Sequence, residues 1–323
     1  MGWSRTQIRD HRRQRDHPPF YFAKSILLWT SSPPPRLPSI LYSMSDTTKT
    51  VLAALTTFSL GAAFAHLLNK RYSKPSIQPN NPTTTTPRKL TVAYWKMRGL
   101  GAPLRMVCFY DGRVEGVDVE YKCFDAGKPT DPSYKEAWFG VKETLYLPQN
   151  PMMNLPWVKA ESSSSSEMIV QTNACLTFLG RELGLQGANA VEQNRADQIL
   201  AQTMDWRNAS MRYFYGRSTP EEIDHYYTTG IRSHYTKINA FMNMNQTAYS
   251  AANNITIGDF HLFEMIDQHE RFYTFIKKDS FLEDFECLHA MYQNMLKEKR
   301  LQGYFDSEYY KFPMNNPHAF FLH

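Results

Sequence analysis

The stretch from Leu90 to Arg105 constrains the fold more than any other part of the chain, because it predicts a strand, a tight turn and a helix in succession. Leu90 to Trp95 has the β-branched and aromatic content of a short buried strand, and Arg98 to Gly101 interrupts it. Pro103 suits the first turn of a helix, where its missing N–H is not needed. Tyr94 then lies beside unpaired helix N–H groups, where it is either a hydrogen-bond donor to an anion or an ordinary half-buried aromatic.

Composition and charge exclude several classes of protein. A chain of 323 residues with 42% hydrophobic content can bury more than one core. Residues 1–88 hold 12 Lys/Arg against 3 Asp/Glu, whereas residues 89–323 hold 24 against 28, so the folded part is mildly acidic and nucleic acid is not expected as a partner. The four cysteines show no C-x-x-C spacing and the ten histidines form no ligand motif, so we expect reduced thiols and no metal site.

The first 88 residues predict a leader rather than a folded domain. Residues 1–43 are rich in Arg, Pro and Ser, and we expect no fixed structure there. Residues 51–68 are eighteen positions without Asp, Glu, Lys or Arg, and a helix of that length reaches about 27 Å, enough to span a bilayer. A membrane anchor is the favoured interpretation, with a cleaved signal peptide at Ala63-Phe64-Ala65 or a buried helix as alternatives. The run at 80–87 predicts a flexible linker.

The location of the folded part depends on where translation starts. If Met44 is the initiator, the basic residues after the apolar stretch hold the following domain in the cytoplasm. If Met1 is used, the Arg-rich leader competes for that side. We therefore expect the folded part to be cytoplasmic and membrane-anchored, with import into an organelle as the alternative.

Residues 89–186 predict a thioredoxin-like α+β domain of order βαβαββα that lacks the redox C-x-x-C. Asn154-Leu155-Pro156 leads into a hairpin that turns at Ser162–Ser166. A cis bond before Pro156 would turn the Leu155 N–H and C=O outward, where they can pair with a peptide-like ligand. Thr172 begins the next helix and offers a hydroxyl and free N–H groups to a carboxylate, or it is an ordinary N-cap.

Residues 190–323 predict an all-α helical-bundle domain. The helical patterns are Glu192 to Tyr215, Pro220 to Phe241, Ile257 to His269 and His289 to Leu301. Thr256 and Asp259 form a predicted capping box before the most apolar of these helices, which should be the buried centre of the domain. Asp259 is therefore expected to be structural.

Four motifs in register carry a family resemblance. They are Tyr94-Trp95-x-x-Arg98-Gly99-Leu100, Asn154-Leu155-Pro156, Gln171-Thr172-Asn173-Ala174 and Ile255-Thr256-x-x-Asp259-Phe260. In this order, with a β/α half before an all-α half, they resemble a cytosolic-type glutathione transferase, nearest the mu class. The resemblance covers residues 90 to about 320 and leaves the leader outside.

The resemblance implies a glutathione site in the first domain. Tyr94 matches the family's catalytic tyrosine, whose hydroxyl bonds the glutathione sulfur, while Leu155 and cis-Pro156 would pair with the cysteinyl backbone. Gln171 and Thr172 would hold the γ-glutamyl carboxylate. The further matched contacts are Trp95, Leu100, Lys135, Trp138, Lys142 and Asn154.

The resemblance includes one residue expected at a subunit interface, and the sequence differs from the family pattern in three places. Asp205 matches the acidic residue that reaches the ligand of a neighbouring subunit, which implies a homodimer. Thr172 replaces the usual Ser, and Lys135 stands where an Arg is expected, so charge is kept and bidentate geometry is lost. The stretch between Lys142 and Asn154 is longer than usual.

The activity implied is a detoxification reaction in which the glutathione thiolate attacks hydrophobic electrophiles. The expected lining of the electrophile pocket is Met97, Met204, Met211, Tyr215, Tyr309 and Phe312. On its Tyr-rich helix, Tyr215 is equally well a packing residue. A glutathione-dependent peroxidase or isomerase using the same thiolate is an alternative, and a non-catalytic binding protein of the same fold is another.

Overall fold

The computed structural model describes residues 88–322. The candidate anchor at 51–68 and the linker at 80–87 lie outside the described residues and stay predictions. Among the helices of residues 88–322, none combines the length and the apolar composition needed to cross a membrane.

The first domain is built on a four-stranded mixed sheet. Its elements are β1 (Lys89–Trp95), α1 (Ala102–Asp111), β2 (Val119–Phe124), α2 (Glu136–Val141), β3 (Trp157–Glu161), β4 (Ser166–Val170) and α3 (Thr172–Glu182), with a π-helical turn at Lys142–Tyr146 after α2. The strand order is β2-β1-β3-β4, with β1 parallel to β2 and antiparallel to β3, and β3 antiparallel to β4. This is the predicted βαβαββα order.

Local chemistry explains where α1 begins and ends. Pro103 occupies the first turn of the helix, as the sequence predicts. Gly112 ends the helix at a φ of 80°, and its N–H bonds the carbonyls of Cys108 and Phe109. The helix covers one face of the sheet with fully buried Leu104 and Val107. The Tyr94 turn is therefore held between two well-packed elements.

The second domain is all helical, as predicted. Its elements are α4 (Ala190–Tyr215), α5 (Pro220–His225), a π-helical segment (Tyr226–Ile231), α6 (Arg232–Asn245), α7 (Ile257–Phe275), α8 (Glu286–Lys297), α9 (Gln302–Asp306) and α10 (Glu308–Lys311), with 3₁₀ turns at Leu282–Asp284 and Lys299–Leu301. The predicted helix 220–241 is thus α5 and α6 joined through the π-helical segment. The last predicted helix, His289 to Leu301, corresponds to α8, which begins three residues earlier and ends four residues earlier.

Helix α7 is the buried centre of this domain. Its N-terminus is capped as the sequence predicts, since Asp259 accepts hydrogen bonds from the Thr256 N–H at 2.8 Å and the Thr256 hydroxyl at 2.9 Å. The same carboxylate accepts the N–H of Ser250 at 2.8 Å. Asp259 is fully buried, so its contacts join the start of α7 to the loop before it.

The C-terminal segment, residues 313–322, runs back to the Tyr94 turn. The Arg98 N–H donates to the Pro313 carbonyl at 2.8 Å, and the Gly99 N–H donates to the Met314 carbonyl at 3.1 Å. Further along, the Phe320 N–H donates to the carbonyl of Phe214 at the end of α4 at 2.7 Å. The segment therefore ties the turn after β1 to the helical domain.

Candidate functional site

Tyr94 lies at the end of β1, and its side chain is buried under the turn that follows. Only 3% of its surface is exposed. A Cβ added at Gly101 would lie 2.6 Å from a Tyr94 ring carbon, and one added at Gly99 would lie 3.1 Å from the Tyr94 Oη. Gly99 also has a φ of +39°. Glycine is required at both positions because the backbone passes directly over the phenol.

Arg105 fixes the backbone around Tyr94 from within the first domain. Its guanidinium is fully buried and donates from Nη1 to the Met97 carbonyl at 2.9 Å and from Nη2 to the Trp95 carbonyl at 3.1 Å. The two carbonyls lie on either side of the point where β1 ends. Arg105 on α1 therefore holds the strand end that carries Tyr94.

The electrostatic surroundings keep the Tyr94 phenol protonated. Burial raises its pKa, and the positive charge of Arg207, the backbone N–H of Leu100 and the positive charge of Arg105 oppose that rise without cancelling it. At neutral pH the side chain is consequently a neutral O–H donor. A donor of this kind can stabilise an anion that lies within hydrogen-bond distance of the phenol oxygen.

Tyr94 lines a very small cavity of about 10 Å³ between the two domains. The other lining residues are Met97, Gly99, Leu100, Arg207, Met211, Tyr215, His261, Glu264, Met265, Gln268 and Asn315. Four of the predicted site residues, Met97, Leu100, Met211 and Tyr215, are thus brought together with Tyr94.

A second cavity of about 230 Å³ lies on the other side of Met97. It is lined by Trp95, Lys96, Met97, Asp125, Ala126, Phe312, Pro313, Asn315 and Pro317. Met97 and Asn315 line both cavities and separate them. Trp95 and Phe312 supply aromatic walls, and the Lys96 Nζ lies 5.9 Å from the centre of the Phe312 ring.

Tyr215 contacts the C-terminal segment through its hydroxyl. The Asn316 N–H donates to the Tyr215 Oη at 2.8 Å, and burial raises the pKa of Tyr215 to about 12. The hydroxyl therefore accepts one hydrogen bond from the backbone and keeps its own proton at neutral pH. Tyr134 of the first domain bonds the Asn316 side chain, so the tail joins both domains here.

The residues expected to hold the peptide backbone of glutathione cluster at the start of β3 and α3. The Leu155–Pro156 bond is cis. The Leu155 N–H donates to the side chain of Asn154 at 3.0 Å. Gln171 is the N-cap of α3 at a φ of 74°, and Thr172 is the first helical residue, with no side-chain cap at this end. The alternative that Thr172 is an ordinary N-cap is therefore wrong, because the chain enters the helix one residue earlier.

Three other predicted contacts, Lys135, Trp138 and Lys142, lie on α2 or at its two ends. Trp138 is 1% exposed and packs against Phe124 and Tyr146, with ring centres 5.1 and 5.3 Å apart. Lys135 precedes α2 at a φ of 65°, and Lys142 begins the π-helical turn. These assignments as glutathione contacts stay predictions.

Three residues of the helical domain have separate surroundings. Asp205 is exposed on α4, beside a groove of about 310 Å³ between α4 and α6. Met204 is half-buried on the same helix. Tyr309 does not fit the predicted pocket lining, because its ring packs against Tyr121 at 4.8 Å and its hydroxyl donates to Glu115 at 2.6 Å. It fills space between α10 and the sheet.

Several polar residues of the site are not predicted by the sequence. They are Arg207, His261, Glu264, Gln268 and Asn315. His261, Glu264 and Gln268 are spaced i, i+3 and i+7 on α7, so they share one face, and the Gln268 Nε2 donates to Glu264 at 2.9 Å. Polar residues at that spacing within an otherwise apolar helix are the signal that marks this face.

Arg98 connects the Tyr94 turn to that face of α7. Its Nη2 lies 2.6 Å from a Glu264 oxygen and its Nη1 lies 2.7 Å from an Asp267 oxygen. The guanidinium is fully buried and lies over the Tyr310 ring at 4.3 Å. Two buried carboxylates of the second domain therefore hold a cation of the first.

Comparison with known proteins identifies the family. The family model described as "Glutathione S-transferase, C-terminal domain" matches residues 204–308. The chain is 31% identical to Glutathione S-transferase Mu 2 of Rattus norvegicus over 189 residues, 57% of this chain and 77% of the relative. It is 26% identical to Glutathione S-transferase Mu 3 of Homo sapiens over 233 residues, 71% of this chain and 94% of the relative.

Solved structures share the fold. The Pi-class glutathione S-transferase of Onchocerca volvulus superposes with a TM-score of 0.57 at 20% identity, over 72% of this chain and 99% of that one. The glutathione S-transferase Blo t 8 superposes with a TM-score of 0.57 at 21% identity, over 71% of this chain and 98% of that one. Sequence relatives, fold and the converging residues around Tyr94 agree, and the chain belongs to the glutathione S-transferase family as a glutathione transferase with mu-class relatives.

Proposed function

We propose that this enzyme transfers the thiolate of glutathione to small hydrophobic electrophiles, with the Tyr94 hydroxyl stabilising the thiolate. The observation that carries the proposal is the buried, protonated phenol between the two domains, with Met97 between it and the 230 Å³ cavity. The relatives named above are glutathione transferases, which supports glutathione as the co-substrate.

The first step is formation of the thiolate. A free cysteine thiol has a pKa of about 8.5, so most of it is protonated at neutral pH. A hydrogen bond from Tyr94 to the sulfur favours the thiolate, and each unit by which the thiol pKa falls corresponds to about 1.4 kcal/mol. The positive charge of Arg207 acts on the same region, since it also opposes the rise in the Tyr94 pKa. The N-terminal end of α1, which has no side-chain cap, favours negative charge as well.

The second step is attack of the thiolate sulfur on the electrophile. With an aryl halide the new carbon–sulfur bond replaces the carbon–halogen bond, and halide leaves. The sulfur would reach the phenol by displacing the Met97 side chain, which separates the two cavities, and the carbon under attack would lie in the larger one, lined by Trp95 and Phe312. A volume of about 230 Å³ is below the usual range of roughly 300–1,000 Å³ for ligand pockets. We therefore expect a preference for electrophiles the size of a substituted benzene over larger ones.

The rest of glutathione would lie along the first domain. The Leu155 backbone would pair with the cysteinyl unit, once its N–H exchanges the Asn154 side chain for the ligand. Thr172 and the N–H groups that begin α3 would hold the γ-glutamyl carboxylate, because no side chain caps that helix. Asp205 is exposed and would reach the ligand of a second subunit, so we propose a homodimer.

The experiment is a conjugation assay on the full chain with a small aryl halide, comparing wild type with Tyr94→Phe. We expect the variant to bind glutathione with nearly unchanged affinity and to lose at least about tenfold in turnover at neutral pH, because only the thiolate loses its donor. Tyr304→Phe is the matched control, since Tyr304 is equally buried and its hydroxyl has no hydrogen-bond partner among residues 88–322.

Equal turnover of Tyr94→Phe and wild type would contradict the role of Tyr94. An organic hydroperoxide assayed in parallel separates conjugation from peroxide reduction, because both reactions use the same thiolate but give different products.

A further inference from the structure

A buried histidine lines the cavity at Tyr94 without a hydrogen-bond partner among the described residues. His261 on α7 is 1% exposed, and neither Nδ1 nor Nε2 has a partner within residues 88–322. Burial and the positive charge of Arg207 lower its pKa to about 3, so the ring is neutral and carries one N–H donor and one acceptor. Buried polar groups in native proteins are almost always paired, with protein or with ordered water.

A second histidine on the same helix has the same burial and a full set of partners. The Nδ1 of His269 donates to the Met265 carbonyl at 2.7 Å, and its Nε2 accepts from the Tyr226 hydroxyl at 2.9 Å. Helix α7 and its neighbours can therefore satisfy a buried histidine with protein atoms. No protein atom among residues 88–322 bonds the ring nitrogens of His261. A hydrogen-bond partner for this ring would therefore lie in the cavity that it lines.

The size of the cavity selects the partner. One water needs about 10–15 Å³ of space, and the cavity shared by His261 and Tyr94 has about 10 Å³. A glutathione sulfur with its methylene group is larger than that. Gly99 and Leu100 line the same cavity, and a Cβ added at Gly99 would lie 3.1 Å from the Tyr94 Oη, so the position of the cavity fits a contact with the phenol oxygen.

We propose that a water molecule bound in this cavity links His261 to the Tyr94 hydroxyl, and that His261 is a positioning residue for thiolate formation. The inference rests on the proposed function, in which Tyr94 donates to the thiolate. The His261 N–H donates to the water, the water donates to the phenol oxygen, and the phenol O–H donates to the sulfur. A phenol oxygen can accept the Leu100 N–H and one further bond while it donates.

Such a chain strengthens the last bond, because successive hydrogen bonds polarise one another. The charged and titratable groups that face this region come from every element around it. They are Arg98 in the turn, Arg105 on α1, Arg207 and Tyr215 on α4, and Glu264 on α7. None of these is altered by a change at His261, so a change in the thiol pKa would report the water link.

The test compares His261→Leu and His261→Gln with wild type, each titrated with glutathione bound and followed by the ultraviolet absorbance of the thiolate. We expect His261→Leu to raise the apparent pKa of the bound thiol by about half a unit, which lowers kcat/KM about threefold at pH 6. At a pH below the pKa of the bound thiol, where both proteins bind the protonated form, the dissociation constant for glutathione should stay unchanged. His261→Gln keeps a donor and an acceptor and should restore most of the wild-type pKa.

His269→Leu is the matched control. It removes an equally buried imidazole from the same helix and breaks its bonds to Met265 and Tyr226, so it should lower the melting temperature without moving the thiol pKa. A crystal structure of the wild type at a resolution that reveals waters should contain a peak within hydrogen-bond reach of both the His261 ring and the Tyr94 Oη.

An empty cavity, or the same thiol pKa in His261→Leu and wild type, overturns the inference and leaves the proposed function standing. A wild-type protein that forms no thiolate with bound glutathione overturns the proposed function itself. The two failures are distinguishable because the first is seen only in the His261 variants and the second in the wild type.

Discussion

Arg98 and Arg105 are both fully buried and lie seven residues apart around the same turn, yet they stabilise it in different ways. Arg98 pairs with two carboxylates of α7 in the second domain. Arg105 donates to backbone carbonyls of its own domain and lies 5.6 Å from the ring centres of Tyr309 and Phe312. One cation therefore depends on opposite charges from the other domain, and the other depends on dipoles and aromatic faces.

The different partners of Arg98 and Arg105 show how the Tyr94 turn is positioned. Arg105 fixes the strand end through carbonyls of its own domain, although the aromatic rings beside it, Tyr309 and Phe312, come from the second domain. Arg98 fixes the turn only when α7 is docked, because both of its carboxylate partners, Glu264 and Asp267, lie on that helix. The geometry of the site is consequently coupled to the contact between the two domains.

The largest effect is expected from Arg98→Met. This change leaves the buried Glu264 without a cation and leaves Asp267 with only Arg271, whose Nε lies 3.5 Å away. Breaking a buried ion pair from one side costs about 3–5 kcal/mol of unfolding free energy. Urea unfolding followed by circular dichroism measures it. Arg98→Lys keeps the charge and should lose clearly less. A loss below about 1 kcal/mol in Arg98→Met would contradict the idea that the pair holds the domains together.

Arg105→Met should cost less, about 2–3 kcal/mol, because it removes hydrogen bonds to two carbonyls and leaves no unpaired charge. Turnover should fall as well, since the strand end that carries Tyr94 loses its anchor. The same unfolding experiment, together with the conjugation assay, measures both. If Arg105→Met were the more destabilising of the two, the distinction between ion pairing and carbonyl binding would be wrong.

The parts of the fold that depend on local sequence are the parts that the sequence predicts. The strand, turn and first helix are encoded locally by Gly99, Gly101 and Pro103, and the helical domain follows from apolar periodicity. The break between α5 and α6 is not predictable in this way, because the π-helical segment Tyr226–Ile231 continues the helix without an intervening loop. The prediction for Tyr309 is wrong, since nothing in its local sequence separates a pocket residue from one that packs under the sheet.

The candidate site divides in the same way. Tyr94, Met97, Leu100, Met211 and Tyr215 are predicted from the motif and its family resemblance, and they meet at one cavity. Arg207 and His261 are not predicted from the sequence, because their surroundings are created by tertiary contacts. The clearest example is the Arg98–Glu264 pair, which joins residues 166 positions apart. Nothing in the local sequence around either residue indicates the other as its partner.

Helix α7 pairs the charge of Arg98 with its carboxylates but keeps its two histidines neutral. The free energy of unfolding should therefore depend on pH through these histidines. Burial lowers the pKa of both His261 and His269 to about 3, from an ordinary value of about 6.5 in the unfolded chain. The unfolded state therefore binds more protons below pH 6.5, and stability should fall as the pH drops from there towards 3. Each histidine contributes at most about 1.4 kcal/mol per pH unit.

His261→Leu removes one of the two contributions. Between about pH 7.5 and about pH 5.5 its unfolding free energy should fall by about 1.4 kcal/mol less than that of the wild type. Urea unfolding at the two pH values measures this difference. Parallel pH dependences of the two proteins would mean that His261 is not held neutral in the folded state.

The smallest effect is expected from Arg212→Met, which makes the same exchange as Arg98→Met at an exposed site. Arg212 pairs with Glu222, and the two side chains are 65% and 39% exposed. Because solvent and salt screen such a pair, the loss should be about 0.5 kcal/mol or less, and about 0.5 M salt should remove most of it. Unfolding measured beside Arg98→Met gives the ratio of the two losses. A ratio near one would mean that the exchange of arginine for methionine has the same effect wherever it is made. A ratio of about five or more assigns the loss to the burial of Glu264 without a cation and of Asp267 without the nearer of its two cations.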